Sequence, residues 1–328
     1  MANINRVPMI LDCDTGVDDT MAILLAGLAP EIELVGIGTI WGNVDIDTAT
    51  KNTLNILAMI GKSEVRVARG EAGPSNGSAF DYAHFVHGAD GQGNLGMKNN
   101  YGKVISLSAA EFIIEQCRLR PGEIELVPVG PLTNIAKALE LEPNLPNLVR
   151  GVTVMGGAAL APGNVSEVAE ANIWHDPEAA QKVFEANWPI TLVGLDITMK
   201  TLLSDQHFSK MKQGGQISQY MERIARFYLA FNQERSFGKP LSTMHDAVAV
   251  GIAAGLAKIK LAPVVNAKVD ISNGPGRGQT LCDLRGIYQN FPKQEGAHCK
   301  VVLELEPGFP DLFTQLLVSA GDAAVNIS

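Results

Sequence analysis

Four carboxylates within eight residues, Asp12, Asp14, Asp18 and Asp19, stand between a short apolar run, Val7 to Leu11, and a segment, Thr20 to Leu25, that reads as a helix. They therefore share one strand-to-helix turn. Two unit charges about 4 Å apart repel by roughly 1 kcal/mol in water and by ~4 kcal/mol at the dielectric of a protein surface. A folding chain that gathers this much like charge needs a cation or protons to neutralise it. Acids in the first turn of a helix gain ~0.3–1 kcal/mol each from its dipole, which accounts for one or two of the four but not for the set. The turn asks for a metal.

Apolar, β-branched runs alternate with helical patterns on either side of that turn. Val7–Leu11 is followed by a helix near 18–28, then a strand over 32–39, a helix near 47–60 and a strand over 65–68. Further on come a helix near 108–119, a strand at 124–129, a helix over 131–139, a strand at 151–155, a helix near 177–187 and a strand at 190–195. Strands so continuous in apolar character are those of parallel sheets buried on both faces. The alternation predicts an α/β fold: an open, doubly wound, mostly parallel sheet flanked by helices. With no linker, repeat or low-complexity tract, residues 1–328 read as a single catalytic domain. Two segments break the rhythm. Residues 70–101 are rich in Gly, Asn, His and Asp, as active-site lids often are. Residues 204–240 read as helices carrying Phe227, Tyr228, Phe231 and Phe237, a packing face or a second lid. The last third is expected to hold a helix after Met244, several short strands and a closing helix near 310–320.

Composition narrows the partners. A net charge of −9 disfavours nucleic acid and anionic membrane surfaces, which call for clustered Lys and Arg. No apolar run reaches the ~18 residues that span a bilayer, and residues 1–6 lack the pattern of a secretory leader. Cys13, Cys117, Cys282 and Cys299 are widely spaced, with no C-x-x-C pair. That spacing suits reduced thiols and a cytoplasmic location better than a disulfide framework or a zinc site.

Ligands of open α/β sheets bind at the carboxyl ends of the strands. The chemistry should therefore assemble from the Asp cluster, Trp41-Gly42-Asn43, Gly130-Pro131-Leu132-Thr133-Asn134 and Gly156-Gly157. No G-x-G-x-x-G follows the first strand and no Walker-type loop is present, which removes nucleotide phosphates. An EF-hand loop begun at Asp12 would need Gly at its sixth place and Glu at its twelfth. Here Gly16 is fifth and Ile23 is twelfth. An Mg²⁺-dependent phosphohydrolase with Asp12 as nucleophile is the alternative, although its D-x-D-x-[TV] pattern wants Thr or Val where Gly16 stands. What remains is an all-oxygen site for a hard cation such as Ca²⁺ or Mg²⁺.

The pattern D-x-D-x-G-x-D-D resembles the signature of the nucleoside N-ribohydrolases (the inosine-uridine preferring type). The resemblance continues in order through Gly42-Asn43-Val44, His87-Gly88, Gly130 to Asn134, Met155-Gly156-Gly157, Ala169 to Asn172, Asp176 to Ala180 and His245-Asp246. It covers about three quarters of the chain. It implies a Ca²⁺-dependent enzyme that splits the N-glycosidic bond of ribonucleosides into ribose and free base, as a homodimer or homotetramer. It further implies that Asp14, Asp19, Asp246 and the backbone carbonyl of Thr133 hold the metal. Asp14 would act as general base on a water, Asp18, Asn43, Glu170 and Asn172 would bind the ribose hydroxyls, and Met155 would line the ribose pocket. His245 would be the acid for the leaving base, in the place where purine-selective members carry Trp. His87 would approach ribose or base.

Elementary chemistry favours the same roles. Loss of the base leaves an oxocarbenium-like sugar that nearby carboxylates stabilise. A metal lowers the pKa of bound water, and chelation of a vicinal diol fixes the ring. Histidine near its ordinary pKa suits proton delivery at neutral pH. Asp12 reads as an orienting residue, Asp196 as a structural acid, and Trp41 as core or as a wall of the sugar pocket.

Overall fold

The computed structural model describes residues 6–99 and 101–327; most of the N-terminal hexapeptide considered above lies outside them. Eight strands form the central sheet: β1 (Val7–Cys13), β2 (Ile32–Thr39), β3 (Arg66–Arg69), β4 (Glu125–Pro128), β5 (Gly151–Met155), β6 (Ile190–Val193), β7 (Val264–Val265) and β8 (Cys299–Val301). Their order is β7-β8-β6-β5-β4-β1-β2-β3. All neighbours run parallel except β7 against β8. The chain winds outward from β1 to β3, then returns to β4 on the other side of β1. That reversal is the topological switch point where such sheets open a crevice at their carboxyl ends.

Alternation along β1 divides the core. Met9, Leu11 and Cys13 face a layer holding the helices Val17–Leu28, Gln216–Asn232, His245–Ala253 and Phe309–Ser319. Ile10 faces the layer of Ala109–Leu119, Thr133–Leu141 and Pro177–Glu185. Because side chains of a strand point to opposite faces in turn, one strand can serve both layers. The expected helices and strands are present, with ends moved by a few residues. The strand expected to reach Leu195 stops at Val193, because Gly194 begins a short helix, Leu195–Thr198. Among the described residues of 70–101 no regular element is longer than the His84–His87 turn. Among the described residues no helix is long and apolar enough to cross a membrane.

Two helices place the acids. Val17–Leu28 and His245–Ala253 are almost wholly buried and pack against each other. Both begin at the crevice. Asp18 and Asp19 sit in the first turn of one and Asp246 in the first turn of the other, where the helix dipole favours negative charge.

Candidate active site

The turn after β1 is held open by its own carboxylates. Asp19 accepts from the backbone of Asp14 (3.1 Å) and Gly16 (2.8 Å), and from Asn43 Nδ2 (3.0 Å). Asp14 Oδ2 accepts from the Asn43 backbone at 2.6 Å. Glycine is required at two of these places by close approach. A Cβ on Gly16 would lie 2.7 Å from His87 Nδ1, and one on Gly42 would collide with the Asp14 carboxylate.

Oxygens of Asp18, Asp19 and Asp246 come within 4.8 Å of one another. Asp14 lies beside Asp19 and shares its charge field. Burial, then mutual repulsion, raises Asp14 and Asp246 well above the carboxylate range and Asp19 to about 7. Asp14 Oδ1 and Asp18 Oδ1 are buried with no hydrogen-bond donor. A buried carboxylate oxygen without a partner is costly unless a cation or proton meets it. The donor set, carboxylates with spare oxygens and no sulfur or imidazole among the converging ligands, fits a hard cation.

The rest of the cavity, about 1000 Å³, is built from strand ends and loops. Glu170 caps the Ala171–His175 helix. It accepts from Gly157, Asn172 and Ile173 backbone groups, yet burial still lifts its pKa to about 7. Asn172 Nδ2 donates to the Val129 carbonyl at 2.8 Å and to the Met155 carbonyl at 3.2 Å, tying the ends of β4 and β5 together. His87 Nδ1 accepts from the Val17 backbone (3.2 Å) and lies 3.7 Å from Asp18 Oδ1. Its ring stacks on Tyr228, whose hydroxyl is 3.4 Å from Asp18 Oδ2. Burial lowers the pKa of His87 and takes His245 down to about 4. In the free site His245 is thus a neutral imidazole, more depressed than a histidine near its ordinary pKa. Asp18, Asn43, Met155, Glu170, Asn172, His87, His245 and Asp246 all line the one cavity. Thr133 is buried at the start of its helix, its hydroxyl on Asp176 at 2.8 Å.

The residues set aside stand elsewhere. Asp12 takes Asn134 Nδ2 at 2.8 Å on one oxygen, its other oxygen is buried without a donor, and like Asp14, Asp19 and Thr133 it is not part of the cavity wall itself. Asp196 accepts three backbone amides, Ala159 to Ala161, and so shapes the loop beyond Gly157. Trp41 is fully buried against Phe80 and His175, and His84 is exposed and stacks on Tyr82. Sequence reasoning missed Thr198, 2.7 Å from His245 Nδ1. It also missed Gln92, which joins the Gly16 carbonyl and Thr20 to Tyr220. It left Tyr228 undecided between core and lid; the tyrosine is buried in the core and also lines the cavity. No local pattern marks the first two.

Comparison with known proteins supplies independent findings. The family described as "Inosine-uridine preferring nucleoside hydrolase" matches residues 9–309. "Probable uridine nucleosidase 2" of Arabidopsis thaliana is 36% identical over 300 residues, 91% of each chain. "Pyrimidine-specific ribonucleoside hydrolase RihB" of Escherichia coli (strain SE11) is 34% identical over 280 residues, 85% of this chain and 88% of that one. Among solved structures, the "Purine-Preferring Ribonucleoside Hydrolase from Gardnerella vaginalis" superposes with a TM-score of 0.87 at 31% identity, covering 95% of this chain and 98% of that one.

Proposed function

The chain belongs to the inosine-uridine preferring nucleoside hydrolase family, and on that premise we propose how it hydrolyses the N-glycosidic bond of ribonucleosides: with Ca²⁺ as its metal and Asp14 as its general base. The carrying observation is the convergence of Asp18, Asp19 and Asp246 oxygens within 4.8 Å at the N-termini of two packed helices, with one oxygen each of Asp14 and Asp18 buried without a donor. Ca²⁺ would be held by Asp14, Asp19, Asp246 and the Thr133 carbonyl, and when bound it supplies Lewis acidity and coordination sites for a vicinal diol.

The protein's own groups do the rest. Asp14 presents Oδ1 without a donor, and its raised affinity for a proton suits it to take one from water. Asp18 and Asn43, beside that water, accept from and donate to the ribose 2′- and 3′-hydroxyls. Glu170 and Asn172 hold the other side of the sugar over Met155. Asp18 and Glu170 also place negative charge near the ring as it becomes oxocarbenium-like. His245, neutral and held through Nδ1, offers Nε2 to the departing base. Its pKa rises as negative charge develops there, so the ring can pass on or share a proton. His87 packs between Asp18 and Tyr228 and fixes both.

The reading includes a cytoplasmic setting, supported by four cysteines that are free thiols. It also includes a homo-oligomer, which rests on the family resemblance. The phosphohydrolase alternative is weaker, because its pattern wants Thr or Val where Gly16 stands, and a Cβ there would lie 2.7 Å from His87 Nδ1. Reducing sugar released from uridine tests the proposal. It should vanish in Asp14→Ala while the fold, followed by circular dichroism, is retained. Unchanged turnover in that variant overturns the assignment. Hydrolysis of p-nitrophenyl phosphate that survives loss of Asp246 supports the alternative instead.

A further inference from the structure

We propose that the cavity has a second lobe, beyond the 5′ end of the ribose, that admits ribonucleosides carrying a neutral, largely apolar 5′ substituent. The inference rests on the ribonucleoside reading of the same cavity and extends it to a part of the substrate other than the base.

The cavity straddles the carboxyl end of the sheet. His245 and Tyr228 reach it from helices packed on one face. Glu170, Ala171 and Asn172 reach it from a short helix whose Ile173 packs, with the Pro177–Glu185 helix, on the other. In a ribofuranose the base and C5′ are carried by the two carbons that flank the ring oxygen, so they leave the ring in different directions. With the diol on the metal and the base toward His245, C5′ points across the sheet end to the Glu170–Asn172 side. There Ala171 lines the cavity with a single methyl, and a longer side chain would close the way past it.

Beyond Ala171 the lobe is fixed by its own contacts. Its walls include Trp174, Pro177, Phe80, Asn76 and Arg277. Two loops far apart in the sequence are pinned to one carboxylate in the first turn of the Pro177–Glu185 helix. Arg277 Nη2 donates to both oxygens of Glu178, at 2.7 and 2.9 Å, and Asn76 Nδ2 donates to Glu178 Oε2 at 3.2 Å. The Arg277 loop also lies close against Trp174, since a Cβ on Gly278 would stand 3.1 Å from that indole. Gln279 then pairs with Ala169, directly before Glu170. The whole cavity, about 1000 Å³, is at the upper end of the ~300–1,000 Å³ that serves drug-sized ligands. A nucleoside is a small ligand for such a space.

The chemistry of the lobe selects the substituent. Trp174 is 37% exposed, and with Pro177 and Phe80 it offers apolar surface that a carbon chain would take out of water. Arg277 is already paired, by Glu178 and by the Ile271 carbonyl at 2.9 Å. Asp81 and Glu170 stand on the same cavity wall. A 5′-phosphate would thus meet acids and a guanidinium whose charge is matched, whereas a neutral group meets no such repulsion.

Release of uracil from uridine, 5′-deoxy-5′-(butylthio)uridine and uridine 5′-monophosphate, measured with calcium present, tests this. In each case water adds at C1′, the N-glycosidic bond breaks, the base leaves with a proton and the 5′ group is untouched. The wild type should cleave the butylthio nucleoside with kcat/KM within about tenfold of uridine, the loss expected for one hydroxyl hydrogen bond. It should cleave the 5′-monophosphate at least about 100-fold less well than uridine. Ala171→Leu, which fills the neck of the lobe, should leave uridine within about threefold and lower the butylthio substrate by about 10- to 100-fold, through KM. Trp174→Ala removes the wall instead of filling the lobe, and should lower the same substrate by several-fold while sparing uridine. Three results overturn the inference: a wild type that cleaves uridine but not the butylthio nucleoside, a 5′-monophosphate cleaved as well as that nucleoside, or variants that keep the wild-type ratio between uridine and it. If uridine itself is not cleaved, the ribonucleoside reading fails, and that failure is distinguishable from the others.

Discussion

Thr198 Oγ1 lies 2.7 Å from His245 Nδ1 across the junction of two short segments, the Leu195–Thr198 helix and the first turn of His245–Ala253. A threonine hydroxyl can turn its hydrogen to a neutral imidazole nitrogen, which leaves the ring proton on Nε2. That tautomer is the one able to donate toward a leaving base. Thr198→Val should lower kcat on uridine by about tenfold, within the range of a general acid that keeps its place but loses its bias. KM should change little, and Thr198→Ser should restore most of the rate. A variant with wild-type kcat would show that His245 needs no such partner.

Gly42 makes a sharper geometric prediction. Its missing side chain gives the Asp14 carboxylate its place, and its φ of +155° adds a backbone preference. Gly42→Ala should push Asp14 aside while leaving the β1–β2 pairing intact. A displacement near 1 Å in such a group can cost about 10²-fold in rate. The loss should appear in kcat, measured with uridine, with an unchanged far-UV spectrum. Full activity in this variant would remove Asp14 from the reacting centre.

The fold was legible because its strands are buried on both faces and read as continuous apolar runs, and because each ends in a turn rich in Gly, Asn or Asp. Asp12 to Asp19 announced a cation for an equally local reason. Which oxygens converge was not legible. Asp18 joins Asp19 and Asp246 within 4.8 Å only because two helices separated by more than 200 residues pack side by side. The depressed pKa of His245 likewise comes from burial, which no neighbour in the sequence reports. Tyr228 and Thr198 gain their places in the site from tertiary contacts, and their own segments look like ordinary helix.

Protons and metal should compete at this centre. Asp19 is raised to about 7, and Asp14 and Asp246 well above the carboxylate range, all chiefly by burial. A carboxyl whose folded pKa exceeds its unfolded one stabilises the fold below the unfolded value, near 4. That contribution is lost as pH rises through the folded value. In EDTA, Tm should therefore fall between pH 5 and pH 8. Calcium should offset the fall, because it binds the carboxylate form and releases protons. Calorimetric titration at pH 7 in buffers of different ionisation enthalpy should show that release, and affinity should weaken toward pH 6. A calcium affinity independent of pH over this range would contradict the raised values.

Asp176 ties the irregular loop to the carboxyl end of the sheet. Its carboxylate is fully buried and meets four donors: Ser75 N at 2.7 Å, Ser75 Oγ and Thr133 Oγ1 at 2.8 Å, and Ala179 N at 3.0 Å. Ser75 opens the stretch that carries Phe80, Tyr82 and His87 to the cavity, and Thr133 begins the helix behind Asp14. Removing the acceptor strands several donors, at ~1–3 kcal/mol for each that water cannot reach. Asp176→Ala should therefore lose at least ~2 kcal/mol of stability in urea unfolding, together with activity. Ser75→Ala separates the two effects. It deletes one donor, keeps the bonds from the residue 75 backbone amide, Thr133 and Ala179, and loosens only the root of the loop. Its Tm should stay near wild type while KM for every nucleoside rises by a similar factor of several-fold, because residues of the loop line the cavity whatever base is bound. If KM is unmoved in Ser75→Ala, the loop is positioned from its far end, by His87 on Val17 and Gln92 on Gly16, and Asp176 serves the helix starts alone.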